Sequence, residues 1–323
     1  MKVYIPNVSK TEIGGGWTFL RNLKKASEKL DDLEIVNSSE TPDVLFAFSP
    51  TTIDGETIQK YKAKGIPFVL RLDGVPEDSR NSGKGTRRLV EYAKEADYIV
   101  YQTRFVQETL GKILHNLGVE APGKVVYNGV DTEVFTPKGP KMPFEGKLKI
   151  LHVNYRKDNN KRVEEVVQMY RELWTERHDT NLILMGRYPT EWVQYGMGLF
   201  AGEKYQTVGV VTDEKYKAMI MRSCDVLFYP SYADPAPNVV LEAMASGLPI
   251  IYNWYGGVAE MVHGIKMGNY PISYTPKYAD LIDLATHPDN INQNRRLAET
   301  QFSLENMVVN YRDVFKMALE IKT

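Results

Sequence analysis

DVLFYPSYADPAPNVVLEAMASGLPIIYN, residues 225–253, is the stretch that decides the fold. It opens with an apolar, β-branched run of strand length, breaks at Pro230, and passes through a loop of Ser, Ala, Asp and Pro. Pro237 and Asn238 then open a short apolar helix, Gly247 and Pro249 stop it, and a second apolar run, IIYN, follows at once. The whole reads as one strand–helix–strand unit of a parallel sheet.

Working outward, the same alternation fills the chain. KVYIP, DVLFAF, IPFVLRL, YIVYQ and KVVYN are candidate strands of the first half. KILHVNY, NLILMG, YQTVG, DVLFYP and PIIYN are those of the second, with segments of helical period between them. The pattern restarts once, after TPKGPKMPFEGK (136–147), which is rich in Pro, Gly and Lys and poor in aliphatics. That composition marks a linker with the break near Pro140. At 323 residues and 43% hydrophobic content, the chain can fill two cores. The expectation is two doubly wound α/β domains, whose ligands bind outside the carboxyl ends of the strands, here in a cleft between the domains.

Composition excludes several classes. A net charge of -1 gives no global attraction to nucleic acid or to an anionic membrane. The single cysteine, Cys224, rules out an intrachain disulfide framework or a thiolate metal cluster and fits a reducing cytoplasm. No stretch approaches the roughly 20 apolar residues of a membrane span, and MKVYIPNVSK lacks the apolar core of a signal peptide. His115, His152, His178 and His263 have no metal-ligand spacing, and no D-x-D occurs to carry a divalent ion to a phosphate.

The chemistry-bearing residues fall at strand ends. Asp234 lies in the loop after DVLFYP, and Glu242 sits about one turn inside an apolar helix, where a carboxylate needs a partner or a wet cleft. Taken singly, Asp234 is a turn former, Asn238 a cap and Glu242 a surface acid. Together, the acids can accept from hydroxyls, while free backbone N–H groups from Asn238 through Val239 to Leu241 receive phosphate or sugar oxygens. Arg156 and Lys161 flank the loop after KILHVNY, as a diphosphate site or as a solvated basic loop. Gly14, Gly15 and Gly16 follow the first strand, where glycines allow close approach to a ligand or simply a tight turn. Gly256 and Gly257, with Glu260 a turn later, border the same region.

On these landmarks the chain resembles a family 4 glycosyltransferase of the GT-B fold. GGGW (14–17), VVYNGVDTEVFTP (125–137), R-x4-K (156–161) and NLILMG come in the family's order. YQTVGVVTDEKYKAMI, PS-x2-D-x7-E-A-M-A-S-G-L-P and GG-x2-E (256–260) follow them. The resemblance implies two Rossmann-like domains facing across a cleft, 1–140 on the acceptor side and 141–304 on the donor side. Helix 305–323 would cross back to the first. It implies retaining, metal-independent and cofactor-free transfer of a sugar, hexose-like, from a UDP- or GDP-type donor to a glycan, lipid-linked or small acceptor. A lipid-linked acceptor would bring the protein to a membrane surface as a peripheral partner. Arg156 and Lys161 would bind the diphosphate and neutralise the leaving group, Glu242 would hold the ribose, and Asp234 would face the donor sugar. Gly15, Gly16, Val211, Pro237, Asn238 and Val239 would complete the donor site.

The pattern departs in four places. Asp234 stands where the family has glutamate, Pro237-Asn238 replaces a usual glycine, and Asn154-Tyr155 stands where a glycine often precedes the arginine. Asp73, in PFVLRLDGVPED, lies nearest the spot where many relatives carry a histidine. It reads equally as an acceptor-side catalytic residue or as a turn aspartate before Gly74. A catalytically silent relative that binds a nucleotide sugar or glycan as a partner subunit is the alternative function.

Overall fold

The computed structural model describes residues 1–6, 14–36, 41–72, 74, 84–155, 162–188, 204–263, 265–267 and 277–322. Two compact units emerge, Met1–Gly129 with Phe302–Thr323, and Val130–Gln301.

The first unit is built on β1 (Lys2–Tyr4), β2 (Glu34–Val36), β3 (Val44–Ala47), β4 (Phe68–Leu72), β5 (Tyr98–Tyr101) and β6 (Gly123–Val125). They pair in parallel in the order β2-β1-β3-β4-β5-β6. Strand alternation splits each strand between two cores. Val44 and Phe46 face one core, with helices Gly15–Ser27 and Leu304–Lys322. Leu45 and Ala47 face the other, with helices Gly55–Lys62 and Lys84–Glu95. The C-terminal helix buries Leu304, Met307, Val308, Tyr311, Val314, Phe315 and Ala318, a three-and-four spacing that lays one stripe on the first unit's sheet. Each fully buried Leu- or Phe-sized side chain there stabilises the fold by about 1.5–3 kcal/mol.

The second unit contains β7 (Leu148–Asn154), β8 (Thr180–Gly186), β9 (Lys204–Gly209), β10 (Val226–Tyr229), β11 (Ile250–Asn253) and β12 (Ile265–Met267), all parallel. Their order, β12-β11-β10-β7-β8-β9, reverses direction between β7 and β10. In open α/β sheets such a reversal parts the neighbouring loops and leaves a crevice at the carboxyl ends. The first unit has its own reversal between β1 and β3.

Among the described residues, ten of the twelve strands coincide with runs expected from the sequence; β2 and β12 do not. Both are three-residue strands at sheet edges, where little apolar pattern is required. The boundary between the units falls at Gly129/Val130, upstream of the break expected near Pro140. Side chains of the second unit seize the segment: Arg295 donates to the carbonyls of Phe135 (2.7 Å) and Thr132 (3.2 Å). Arg222 donates to those of Pro140 (3.1 Å) and Thr136 (3.3 Å). Pro and Gly content signals a chain without regular structure, and it does not reveal such side-chain anchoring.

Candidate functional site

β7 and β10 are neighbours at the second unit's reversal point, and Tyr155 and the turn after β10 follow their carboxyl ends. At the end of β7, Gly186 of the neighbouring strand lies so close that a Cβ would sit 1.9 Å from the Asn154 carbonyl, so only glycine fits there. Asn154 in turn donates its side-chain amide to the Arg187 carbonyl at 3.1 Å. The next residue, Tyr155, donates its hydroxyl to the carbonyl of Val211 at 2.9 Å. Burial pushes the Tyr155 phenol up, against the opposing influence of the Lys217 cation and with that of Glu242. Arg156, Lys161 and Asp73 lie outside the described residues.

After β10, the chain turns sharply at Ala233, whose φ of 53° is the left-handed region. The turn is pinned to the loop after β11: Ala233 donates N–H to the Tyr255 carbonyl (2.9 Å), and Gly257 donates to the Asp234 carbonyl (2.9 Å). A Cβ on Gly256 would come within 2.9 Å of the Asp234 carbonyl oxygen. Gly256 therefore serves loop-to-loop packing. Beneath the turn, the buried Tyr229 donates its hydroxyl to Asp234 Oδ2 at 2.7 Å. Tyr232 stacks on Tyr255 with ring centroids 4.8 Å apart, and Trp254 meets Tyr255 edge-on at 5.6 Å.

Helix Asn238–Ala245 begins after Pro237, which stands at the cap position without a side-chain cap bond. The sequence suggests free N–H groups from Asn238 to Leu241, and at Val240 the structure differs. Val240 N–H donates to the Pro237 carbonyl at 3.1 Å, because the first turn closes tightly after proline. Glu242 is 4% exposed, and the partner its burial demands is Lys217, itself 8% exposed, whose Nζ lies 2.9 Å from Oε1. Lys217 projects from helix Glu214–Ser223, whose first turn is fixed by the Asp213 carboxylate accepting from Tyr216 N–H at 2.6 Å. Burial depresses the Lys217 ammonium, but the field and hydrogen bond of Glu242 outweigh it and hold its pKa above the ordinary lysine value. The ammonium also lies 5.9 Å from the Phe135 ring centroid.

In the first unit, Gly14 caps helix Gly15–Ser27 with φ 131°, a conformation that favours glycine, and Gly15 follows it. A Cβ on Gly16 would sit 3.3 Å from the Phe48 ring, so part of this motif's need for glycine is internal packing.

The sequence leaves Lys217 and Tyr229 unassigned. Lys217 has one signal: with Ala218, Ile220 and Met221 it shares the buried face of its helix. A hollow of about 760 Å³ lies elsewhere, at the amino-terminal edge of the second sheet. Lys147 pairs there with Asp179 (3.6 Å), Arg177 with Asp283 (3.2 Å), and Asp225 with Lys149 (2.9 Å). Among the described residues no helix is long and apolar enough to cross a membrane.

Residues 147–282 match the family model described as glycosyl transferases group 1. An uncharacterized glycosyltransferase of Methanocaldococcus jannaschii is 28% identical over 159 residues, 45% of this chain and 39% of that protein's length. The N-acetyl-alpha-D-glucosaminyl L-malate synthase of Bacillus anthracis is 25% identical over 267 residues, 77% of this chain and 68% of that protein. Among solved structures, Anabaena HepE in complex with UDP superposes with a TM-score of 0.74 at 16% identity, covering 98% of this chain and 100% of that one.

Proposed function

We propose that the chain, which has the GT-B fold and matches the group 1 glycosyltransferase model over residues 147–282, transfers a sugar from a nucleotide-diphosphate sugar to an acceptor hydroxyl, as a family 4 enzyme. The observation that carries this reading is the reversal point of the second sheet. Two carboxylates follow β10 there, each held by a buried partner: Asp234 by Tyr229 and Glu242 by Lys217.

In this reading Glu242 accepts from the ribose hydroxyls and Asp234 from the donor sugar. The acceptor oxygen forms its bond to the anomeric carbon as the bond from that carbon to the diphosphate oxygen breaks. The departing nucleoside diphosphate takes the acceptor proton. Attack from the leaving-group face gives retention of configuration. The charge growing on the diphosphate is met by Arg156 and Lys161, whose place after β7 follows from the sequence. Fixed cations at a water-poor site typically supply several kcal/mol of such stabilisation. No step needs a metal, and the acceptor is a glycan, a lipid-linked sugar or a small hydroxylated molecule.

The test is turnover of UDP-, GDP- and ADP-sugars by the purified chain, in EDTA, with the anomeric configuration of any product read by NMR. Release of nucleoside diphosphate in chelator with a retained product supports the proposal. Absence of turnover with tight donor binding would favour a silent binding subunit, and an inverted product or an absolute magnesium requirement would contradict the mechanism.

A further inference from the structure

The Lys217–Glu242 pair is costly to build. Both groups are more than nine-tenths buried, and removing two charges from water costs several kcal/mol that their attraction need not return. An apolar pair of similar volume would serve packing as well or better. The geometry has a second feature. Lys217 engages Oε1 alone, and among the described residues no hydrogen bond reaches Oε2. The carboxylate is thus fixed at one oxygen and open at the other. The remaining titratable groups acting on the pair are the Tyr155 phenol and Glu214, and neither supplies positive charge. Lys217 is the cation that pairs with this buried carboxylate.

We propose that Lys217 is a positioning residue for nucleotide recognition: its ammonium fixes Glu242 at Oε1 and presents Oε2 as the acceptor for vicinal hydroxyls of the donor's ribose. The inference rests on the donor-site reading above, and it adds a residue that does not itself touch the nucleotide. Without the cation, burial favours the neutral acid, and a buried carboxyl can titrate several units above its usual range. A protonated Glu242 loses acceptor strength toward the ribose. Nucleotide affinity then follows pH through a range in which the wild type is flat.

The experiment is calorimetric titration of the intact chain with UDP, GDP and ADP from pH 5.5 to 8.5, for wild type, Lys217→Met and Lys217→Gln. Circular dichroism confirms folding of each. Lys217→Gln keeps a hydrogen-bond donor without charge, so it remains informative if Lys217→Met fails to fold. The expected result is a wild-type Kd that is level with pH, and variants whose Kd rises about tenfold or more as pH falls from 8 to 6, equivalent to about 1.4 kcal/mol. In turnover the donor KM rises while kcat at saturation is kept. A folded Lys217→Gln whose pH profile superposes on the wild type would overturn the inference and leave the donor site standing. A wild type that binds none of the three nucleotides would overturn both.

Discussion

The two sheets reverse direction at equivalent places and fill those places with opposite chemistry. At the first unit's reversal, between β1 and β3, Phe48 continues β3 into a nest of rings with Trp17 (5.9 Å) and Phe19 (6.4 Å). The charge there, Arg71 of β4, is 1% exposed and stacks 4.0 Å over Phe19. It donates to the Phe48 carbonyl (3.0 Å) and Asn128 Oδ1 (2.8 Å), and among the described residues no carboxylate pairs with it. The second unit instead presents Asp234 and Glu242. A shared topology fixes where the strand ends gather, whereas the side chains there decide its chemistry: rings and a buried cation in one unit, partnered carboxylates in the other.

The comparison breaks most directly at the cations after β7. Arg156→Ala or Lys161→Ala should lower turnover about 100-fold or more with folding intact, as loss of an electrostatic stabiliser does. Steady-state rates at saturating donor check it, and near wild-type values would remove these residues from the mechanism.

Glu242→Leu should destabilise the second unit by about 3–5 kcal/mol by stranding the buried ammonium, while Lys217→Met combined with Glu242→Leu should recover most of that. Denaturant unfolding of the single and double variants measures the difference. The sharpest contrast is with Arg71→Met, which should cost about 1–3 kcal/mol by leaving buried acceptors unmet. It should leave nucleoside-diphosphate affinity unchanged. A loss of nucleotide binding in Arg71→Met equal to that in Glu242→Gln would erase the distinction between the two reversal points.

The smallest effect belongs to Tyr229→Phe, which removes one hydrogen bond to Asp234 and should cost about 0.5–1.5 kcal/mol. Because Asp234 is assigned to the sugar end, the variant should weaken the intact nucleotide sugar more than the free nucleoside diphosphate. Paired titrations with both ligands detect this.

Much of the fold was legible because parallel strands covered on both faces are continuous apolar runs, as VLFA (44–47), NLILMG and VLFY (226–229) show. The edge strands EIV (34–36) and IKM (265–267) carry no such constraint and were silent. At the site, the two acids stood out by motif and spacing. Their partners did not. Lys215 and Lys217 read alike on an amphipathic helix, and only the tertiary contact with Glu242 separates them. Tyr229 reads as an ordinary strand residue until its hydroxyl meets Asp234. Gly256 was legible only as bordering the site, and its contact with the Asp234 backbone depends on two loops that the sequence does not place side by side. Arg71 was visible as the one charge in FVLRL, an apolar strand of five buried residues, yet nothing in the sequence distinguishes a sealed cation from a ligand-binding one.

The central claim is that the second unit's acids hold a nucleotide-sugar donor. Calorimetric titration of wild type and Glu242→Gln with UDP, GDP and ADP at pH 7.5 tests it most directly. The account predicts that at least one nucleotide binds the wild type and that Glu242→Gln, isosteric but uncharged, weakens it about tenfold or more. Equal affinity in the two proteins would contradict the assignment of Glu242 to the donor.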